Sequence, residues 1–410
     1  MRVLLVGTGT VGEAIAVLTA GRTWCERMVL ADYDLERATA VQRRTRDPSR
    51  FPVERVDART PAAVTELARR HRVDLVMNAV DPRFVIPVFE GAVAAGAHYV
   101  DMAMSLSAPH PDRPYELPGR KLGDQQFAMD AAWRDAGRLA LVGMGMDPGL
   151  SDVFARHAAD ELFDEIDEVH VRDGGDLAIP GYAFAPVFSI WTTIEECLNP
   201  PIVWDRDAGG WRTDQPFSAP ELFEFPEGIG PVECVNVEHE EVLLVPRWLD
   251  CRRVTFKYAL GADFIEKLRT IHALGMDRTD PVEVRGVRVA PRDVLAAITP
   301  DPATLGDRMV GRAVVGTWVI GRRDGKPREV FCYQVTDARE SWDRYRLQAV
   351  AWQTGFNPVL AMELIATGAW AGSGVLGPEA FDARPFLRLM DRDGIRWAVE
   401  EREPGRHRPT

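Results

Sequence analysis

At 410 residues, with 46% hydrophobic and 27% charged side chains, the chain is too long for one core and reads as a globular protein of two or three domains. A formal net charge of −13 excludes the basic face that a nucleic acid or an anionic membrane surface would require. No run approaches the ~18 apolar residues of a membrane span. The five cysteines show no CxxC spacing, so neither a disulfide framework nor a zinc site is indicated, no metal is expected, and a reducing cytoplasm fits best.

Val3 to Val6 is an unbroken apolar run of the kind buried on both faces of a parallel sheet. It leads directly into GTGTVG, in which Gly7, Gly9 and Gly12 fit GxGxxG and Thr10 and Val11 open the helix EAIAVLTA. Gly7 permits the tight turn, Gly9 lets backbone approach a pyrophosphate, and Gly12 lets helix and strand pack closely. The helix N-terminus offers free N–H groups and a partial positive charge to the phosphates. A second strand, RMVLAD, ends in Asp32, at the spacing expected of the acid that binds the adenosine ribose. Such an acid repels a 2′-phosphate, so NAD is expected ahead of NADP, with Arg37 close enough to blunt the preference.

The strand and helix pattern then repeats through FPVERVDA (ending just past Asp57), PAAVTELARRHR, VDLVMNAV, FVIPVFEGAVAAG and HYVDMAM. Alternation of this length predicts right-handed crossovers and a doubly wound parallel sheet. Residues at the C-terminal ends of its strands face the ligand crevice, which selects Asn78, Ala79 and Asp101. A proline-rich loop over residues 106–119 reads as a surface loop or lid. After it, Asp147 with Pro148 makes an N-cap and first-turn pair for the helix GLSDVFARHAADELF.

Between residues 166 and 336 the texture changes to strand-like pieces, including DEVHVRDGG, ECVNVEHEEVLLVP, RRVTFKYAL, RAVVGTWVIG and REVFCYQV. The last two flank Asp324-Gly325, a strong hairpin signal. A mostly antiparallel sheet in a second, α+β domain is expected. Alternation in VTFKY places Val254, Phe256 and Tyr258 on one face and Thr255 and Lys257 on the other. The polar face would supply contacts for a carboxylate or amine if it looks into the cleft, and is otherwise a solvated sheet face. His239, within VEHEE, reads as a solvated loop histidine. A long apolar helix, expected to break near Asn357-Pro358, and a final helix close the chain.

No GxSxG elbow, HExxH or P-loop is present. A nicotinamide enzyme needs little beyond orientation and one proton acceptor, because the cofactor carries the hydride chemistry. GTGTVG with LADYDL, YVDMA, GMGMDPGLSD, PVFSIWTTIEECLNPPIVW, VTFKYALG and LIATGAWAGSGVLGPEAF together resemble the saccharopine dehydrogenase superfamily, in particular its saccharopine reductase and lysine ε-dehydrogenase branches. The resemblance implies a dinucleotide domain of residues 1–125 completed by C-terminal helices within 345–410. It further implies a domain of residues 126–344 that binds an amino-acid substrate and forms a homodimer. It places Thr255 and Lys257 among the substrate contacts, with Tyr258 beside them, Asp101 near the nicotinamide, and Asp147 in the DPG turn of the reductase branch.

The reaction implied is oxidation of a C–N bond of lysine or saccharopine, or the reverse imine reduction. The alternatives are a polyamine or amino-aldehyde imine reductase of the same superfamily and a non-catalytic NAD-binding protein. An alkyl ammonium of pKa about 10.4 must lose its proton before hydride can leave the adjacent carbon. Lys257 or Asp101 is expected to take that proton.

Overall fold

The computed structural model describes residues 1–405; the last five residues of the C-terminal segment lie outside that range. The alternating apolar pattern of the N-terminal third becomes six parallel strands: β1 (Arg2–Val6), β2 (Arg27–Asp32), β3 (Val53–Arg55), β4 (Leu75–Asn78), β5 (His98–Val100) and β6 (Leu139–Leu141). A seventh, Gly374–Leu376, returns from far along the chain to pair with β6. The sheet order is Gly374–Leu376, β6, β5, β4, β1, β2, β3. Strand order reverses between β4 and β1, and this switch point opens the crevice where a nucleotide lies in doubly wound sheets.

The second sheet is mixed and mostly antiparallel. Its strands include β7 (Glu165–Gly175), β8 (Ile202–Asp205), β9 (Gly210–Thr213), β10 (Glu221–Phe225), β11 (Gly230–Asn236) and β12 (Arg253–Tyr258). The path runs β10, β11, β12, β7, then the hairpin Arg312–Arg323 and Lys326–Asp337, then Ala398–Arg402. At the hairpin tip Asp324 and Gly325 both have positive φ, 51° and 71°, the backbone of a type I′ turn. β7 and β12 run parallel, which sets Lys257 beside Arg172 and Tyr258 beside Asp173.

Several expectations change here. Leu139–Leu141, within the segment assigned to the second domain, belongs to the parallel sheet, and Ala398–Arg402, within the segment assigned to the first, joins the mixed sheet. The stretch 233–246 is not strand throughout: β11 ends at Asn236 and a helix, Glu241–Trp248, follows. The helix after Asp147 begins at Leu150, with Gly149 at its N-cap, and the Asp152 carboxylate accepts from the Gly149 N–H at 2.7 Å. Asp147 is therefore not a cap.

Helix Ala349–Thr367 continues through Pro358 without a break. It is buried on most sides and lies against helix Thr10–Ala20, where a Cβ on Gly355 would come within 2.8 Å of the Ala14 methyl. One hydrophobic core runs from Val3, Leu5 and Met77 through Phe356 and Leu360 to Val315, Val319 and Val330, so the two sheets share packing. Among the described residues no helix is long and apolar enough to cross a membrane.

Candidate active site

A cleft of about 1250 Å³ runs from the glycine turn to the mixed sheet. At one end lies the glycine turn. Gly7 holds φ at +97°, and a Cβ there would meet the Ala79 carbonyl oxygen at 2.6 Å. A Cβ on Gly12 would lie 2.1 Å from the Gly7 oxygen, so only glycine permits this approach of helix to strand. A Cβ on Gly9 would meet none of the described residues within 4 Å. Gly9 is also the N-cap of helix Thr10–Ala20, which has no side-chain cap. The result is an open cradle with helix N–H groups turned toward an anion, and these residues fit a pyrophosphate.

Gly7, Gly9, Thr10, Val11, Asp32, Asp57, Asn78, Ala79 and Asp101 all line the cleft; Gly12 lies behind the turn. Asp32 is buried. One of its carboxylate oxygens accepts from both the N–H and the hydroxyl of Thr8 at 2.8 Å, and the other from the Asp34 N–H at 2.9 Å. Arg37, Arg55, Arg59 and Tyr33 line the same end. Arg59 is paired with Asp57, whose pKa it holds down at about 2.

Further in, Asn78 Nδ2 donates to the Tyr99 hydroxyl at 2.8 Å, which donates to Asp101 at 2.9 Å. Asp101 also accepts from Gln126 Nε2 and from the Gly143 N–H, each at 2.7 Å. Burial pushes its pKa up to about 7 despite these donors. Asp101 thus ties the ends of β5 and β6 together at the floor of the cleft.

The far end is acidic. Asp147, Asp173, Glu196, His239 and Tyr258 line it. Asp147 bonds Asp173 through their side chains, while Asp147 Oδ2 has no hydrogen-bond partner among the described residues. Burial raises Asp147 well above the carboxylate range, and the charge of Asp173 adds to the shift. Burial likewise takes Asp173 to about 7 and Glu196 to about 8. His239 is 4% exposed, stacked on Phe256 with ring centroids 3.7 Å apart. Its Nδ1 lies 2.6 Å from Glu241, and the other oxygen of Glu241 accepts from the Ser151 hydroxyl at 2.8 Å. Burial alone would lower the His239 pKa, but Glu241, Glu240 and Asp147 hold it well above the ordinary histidine value.

The expectation of a solvated loop histidine fails here because the helix that starts at Glu241 packs against β12 and carries His239 under Phe256. Lys257 and Thr255 also lie elsewhere than expected. Alternation turns Phe256 and Tyr258 toward the cleft side and the two polar residues toward the opposite face, which is covered rather than solvated. There Lys257 Nζ donates to Glu221 at 2.8 Å and to the Ala219 carbonyl at 2.6 Å. Thr255 Oγ1 contacts His170 Nδ1 at 2.8 Å and accepts from Arg172 at 3.2 Å. Burial, with Arg172 beside it, lowers Lys257 to about 8, yet it does not border the cleft. Asp173, Glu196 and His239 are the cleft residues that the sequence did not single out for this role. Only the register of β7 against β12, which the fold supplies, puts Asp173 beside Tyr258.

A doubly wound sheet bearing an intact dinucleotide turn, joined along a cleft to a mixed sheet lined with acids, defines a two-domain nicotinamide-dependent oxidoreductase. The saccharopine dehydrogenase NADP binding domain matches residues 3–141 and the saccharopine dehydrogenase C-terminal domain matches residues 145–395. The chain belongs to the saccharopine dehydrogenase family and is an NAD(P)-dependent dehydrogenase acting on C–N bonds.

Its similarity extends to a carboxynorspermidine synthase of Vibrio cholerae, 29% identical over 99% of this chain and 98% of that protein. It also extends to a carboxyaminopropylagmatine dehydrogenase of Synechocystis, 27% identical over 97% and 96%. Apo saccharopine dehydrogenase (L-Glu forming) from Saccharomyces cerevisiae superposes with a TM-score of 0.68 at 15% identity, covering 98% of this chain and all of that one, and shows the same fold.

Proposed function

We propose that this enzyme reduces the imine formed between a diamine or guanidino-amine and an aldehyde-bearing amino acid, making a carboxylated polyamine. The observation that carries this is the set of Asp147, Asp173 and Glu196 at the inner end of the cleft. Three acids suit a substrate carrying several ammonium groups and one carboxylate. Saccharopine, with three carboxylates, calls for the opposite charge. Arg83, lying on the Trp191 ring at 3.6 Å and paired through Nε with Asp81 at 2.8 Å, lines the same cleft, and the single carboxylate would share its guanidinium with Asp81. The names of both relatives support the reading. Cut at the secondary amine, a carboxynorspermidine gives a diamine and a carboxyaminopropylagmatine gives agmatine, each with the same four-carbon amino-acid aldehyde. The polyamine alternative therefore stands ahead of lysine or saccharopine as substrate.

When bound, the reduced nicotinamide supplies the hydride. The chain's own residues hold the partners: Gly9 and the helix N-terminus take the pyrophosphate, Asp101 shapes the floor beneath the reacting carbon, and Asp173 and Glu196 hold the two ammonium groups of the diamine, one acid at the distal nitrogen and the other at the reacting one. With Asp32 already engaged by Thr8 and Asp34 and Arg37 and Arg55 lining the adenosine end, NADPH is preferred over NADH, opposite to what the strand-terminal acid suggests by itself. The homodimer implied by the family resemblance is part of this reading, and light scattering on the purified protein reads it directly.

The test supplies NADPH and aspartate 4-semialdehyde with 1,3-diaminopropane, putrescine or agmatine in turn, following NADPH loss and product mass. Oxidation with at least one pair and a product joined through a new secondary amine is expected. Turnover with lysine or saccharopine alone would overturn the reading.

A further inference from the structure

We infer that the catalytic acid which expels water during imine assembly in this reaction is His239, positioned by Glu241. This rests on the function proposed above.

Hydride addition to an iminium leaves the nitrogen with the proton it already carries, whereas loss of water from a carbinolamine needs an acid at the hydroxyl, and the cleft contains one. The Nδ1 side of His239 is fixed by Glu241 at 2.6 Å, Glu241 is fixed by Ser151 at 2.8 Å, and the ring is clamped on Phe256 at 3.7 Å. That leaves Nε2 for the cleft, which His239 lines together with Tyr258, Asp147, Asp173 and Glu196. An imidazole held by a carboxylate at one nitrogen and presenting the other to a reacting group is the arrangement general acid catalysis requires. The groups facing His239 are Glu241 and Glu240 beside it in sequence, Asp147 from the segment after β6, Asp173 from β7, Glu196 from helix Ile190–Leu198 and Phe256 from β12, with Ser151 behind Glu241. The acids keep the ring protonated near neutrality. Asp173 and Glu196, at about 7 and 8, can exchange a proton in the same range.

An ammonium of the diamine first gives its proton to the carboxylate of Asp173 or Glu196, and the freed nitrogen pair forms a C–N bond to the aldehyde carbon. Proton transfer from nitrogen to oxygen leaves a neutral carbinolamine. His239 Nε2–H then gives its proton to the carbinolamine hydroxyl. The C–O bond breaks, water departs, and the nitrogen pair closes the C=N bond of the iminium. The carboxylic acid formed first returns its proton to the imidazole. Overall, one ammonium and one aldehyde give one iminium and one water, with every protein group restored.

The experiment compares wild type with His239→Gln and Glu241→Gln in NADPH oxidation with the amine–aldehyde pair that wild type uses. His239→Gln should lose about 100-fold in kcat, within the range general acid catalysis supplies, with KM for the diamine and NADPH affinity by fluorescence changed less than about threefold. Added imidazole should restore part of the rate. Glu241→Gln should move the alkaline limb of the pH profile to lower pH. Full turnover in His239→Gln overturns the inference. So does a loss that imidazole does not relieve and that leaves the pH profile unchanged.

A second arm needs no turnover. The His239 ring C–H resonance, followed by NMR in the full chain, should titrate above the ordinary histidine range and shift when 1,3-diaminopropane binds. A normal titration indifferent to the diamine overturns the inference. If wild type oxidises NADPH with no amine–aldehyde pair, the proposed function fails while this arm still judges His239.

Discussion

At the scale of single residues, charge decides what the cleft holds. An ammonium bonded to a carboxylate gains roughly 1.5–3 kcal/mol, and about 1.4 kcal/mol is a factor of ten. Asp173→Asn and Glu196→Gln should each raise KM for the diamine about 10- to 100-fold and leave nucleotide affinity unchanged, as titration calorimetry with NADPH will show. At the other end, Arg37→Ala should weaken NADPH by up to about tenfold and NADH little, reading out the 2′-phosphate contact in the same instrument. The glycine turn and Asp32 could be found in the sequence because their roles depend on fixed spacing within one strand–turn–helix unit. Asp173 and His239 could not. Their neighbours Tyr258 and Phe256 lie 85 and 17 positions away along the chain, and only the pairing of β7 with β12 and the docking of helix Glu241–Trp248 bring them together.

At the scale of elements, a period of two sorts a strand's side chains into faces without saying which face looks where. Alternation divides VTFKY correctly, but its two polar residues face away from the cleft, and burial against Glu221, Arg172 and His170 decides their role. Glu221 is the partner that makes this face tolerable. Burial would raise its pKa, yet Arg172 and Lys257 bring it down to about 2. Lys257→Met removes one cation while Arg172 stays at 2.6 Å from Glu221, so the cost should be about 1–3 kcal/mol. Thermal denaturation should register that loss, and kcat/KM for the amine should stay within about threefold of wild type. A collapse of kcat at unchanged stability would restore Lys257 to the chemistry. Helix Ala349–Thr367 behaves in a similar way. Asn357-Pro358 is a sound local stop signal, but its burial against helix Thr10–Ala20 overrides it.

At the scale of the whole molecule, the net charge of −13 conceals how many acids are buried. Burial raises Asp101, Asp173, Glu238 and Glu379 to about 7 and Glu196 to about 8. In the unfolded chain these groups titrate near 3.8 for aspartate and 4.5 for glutamate. Between those values and 7 to 8 the native state therefore binds more protons than the unfolded one, and stability falls as pH rises through that window. Three histidines oppose the trend. His98, His157 and His170, all lowered by burial and the last to about 4, lose their penalty as pH rises toward 6.5, but they stand against the five acids above together with Asp147, Asp152, Glu240 and His239, which are raised as well. The melting temperature should accordingly be highest near pH 5 and decline toward pH 8. A polycation occupying the cleft favours the ionised forms of Asp173 and Glu196. Binding of a diamine at pH 7 should thus release protons, seen as a buffer-dependent enthalpy in calorimetry, and should lift the melting temperature more at pH 8 than at pH 6. Proton release from wild type that survives unchanged in Asp173→Asn combined with Glu196→Gln would separate the acids from the amine and remove the charge argument on which the substrate assignment stands.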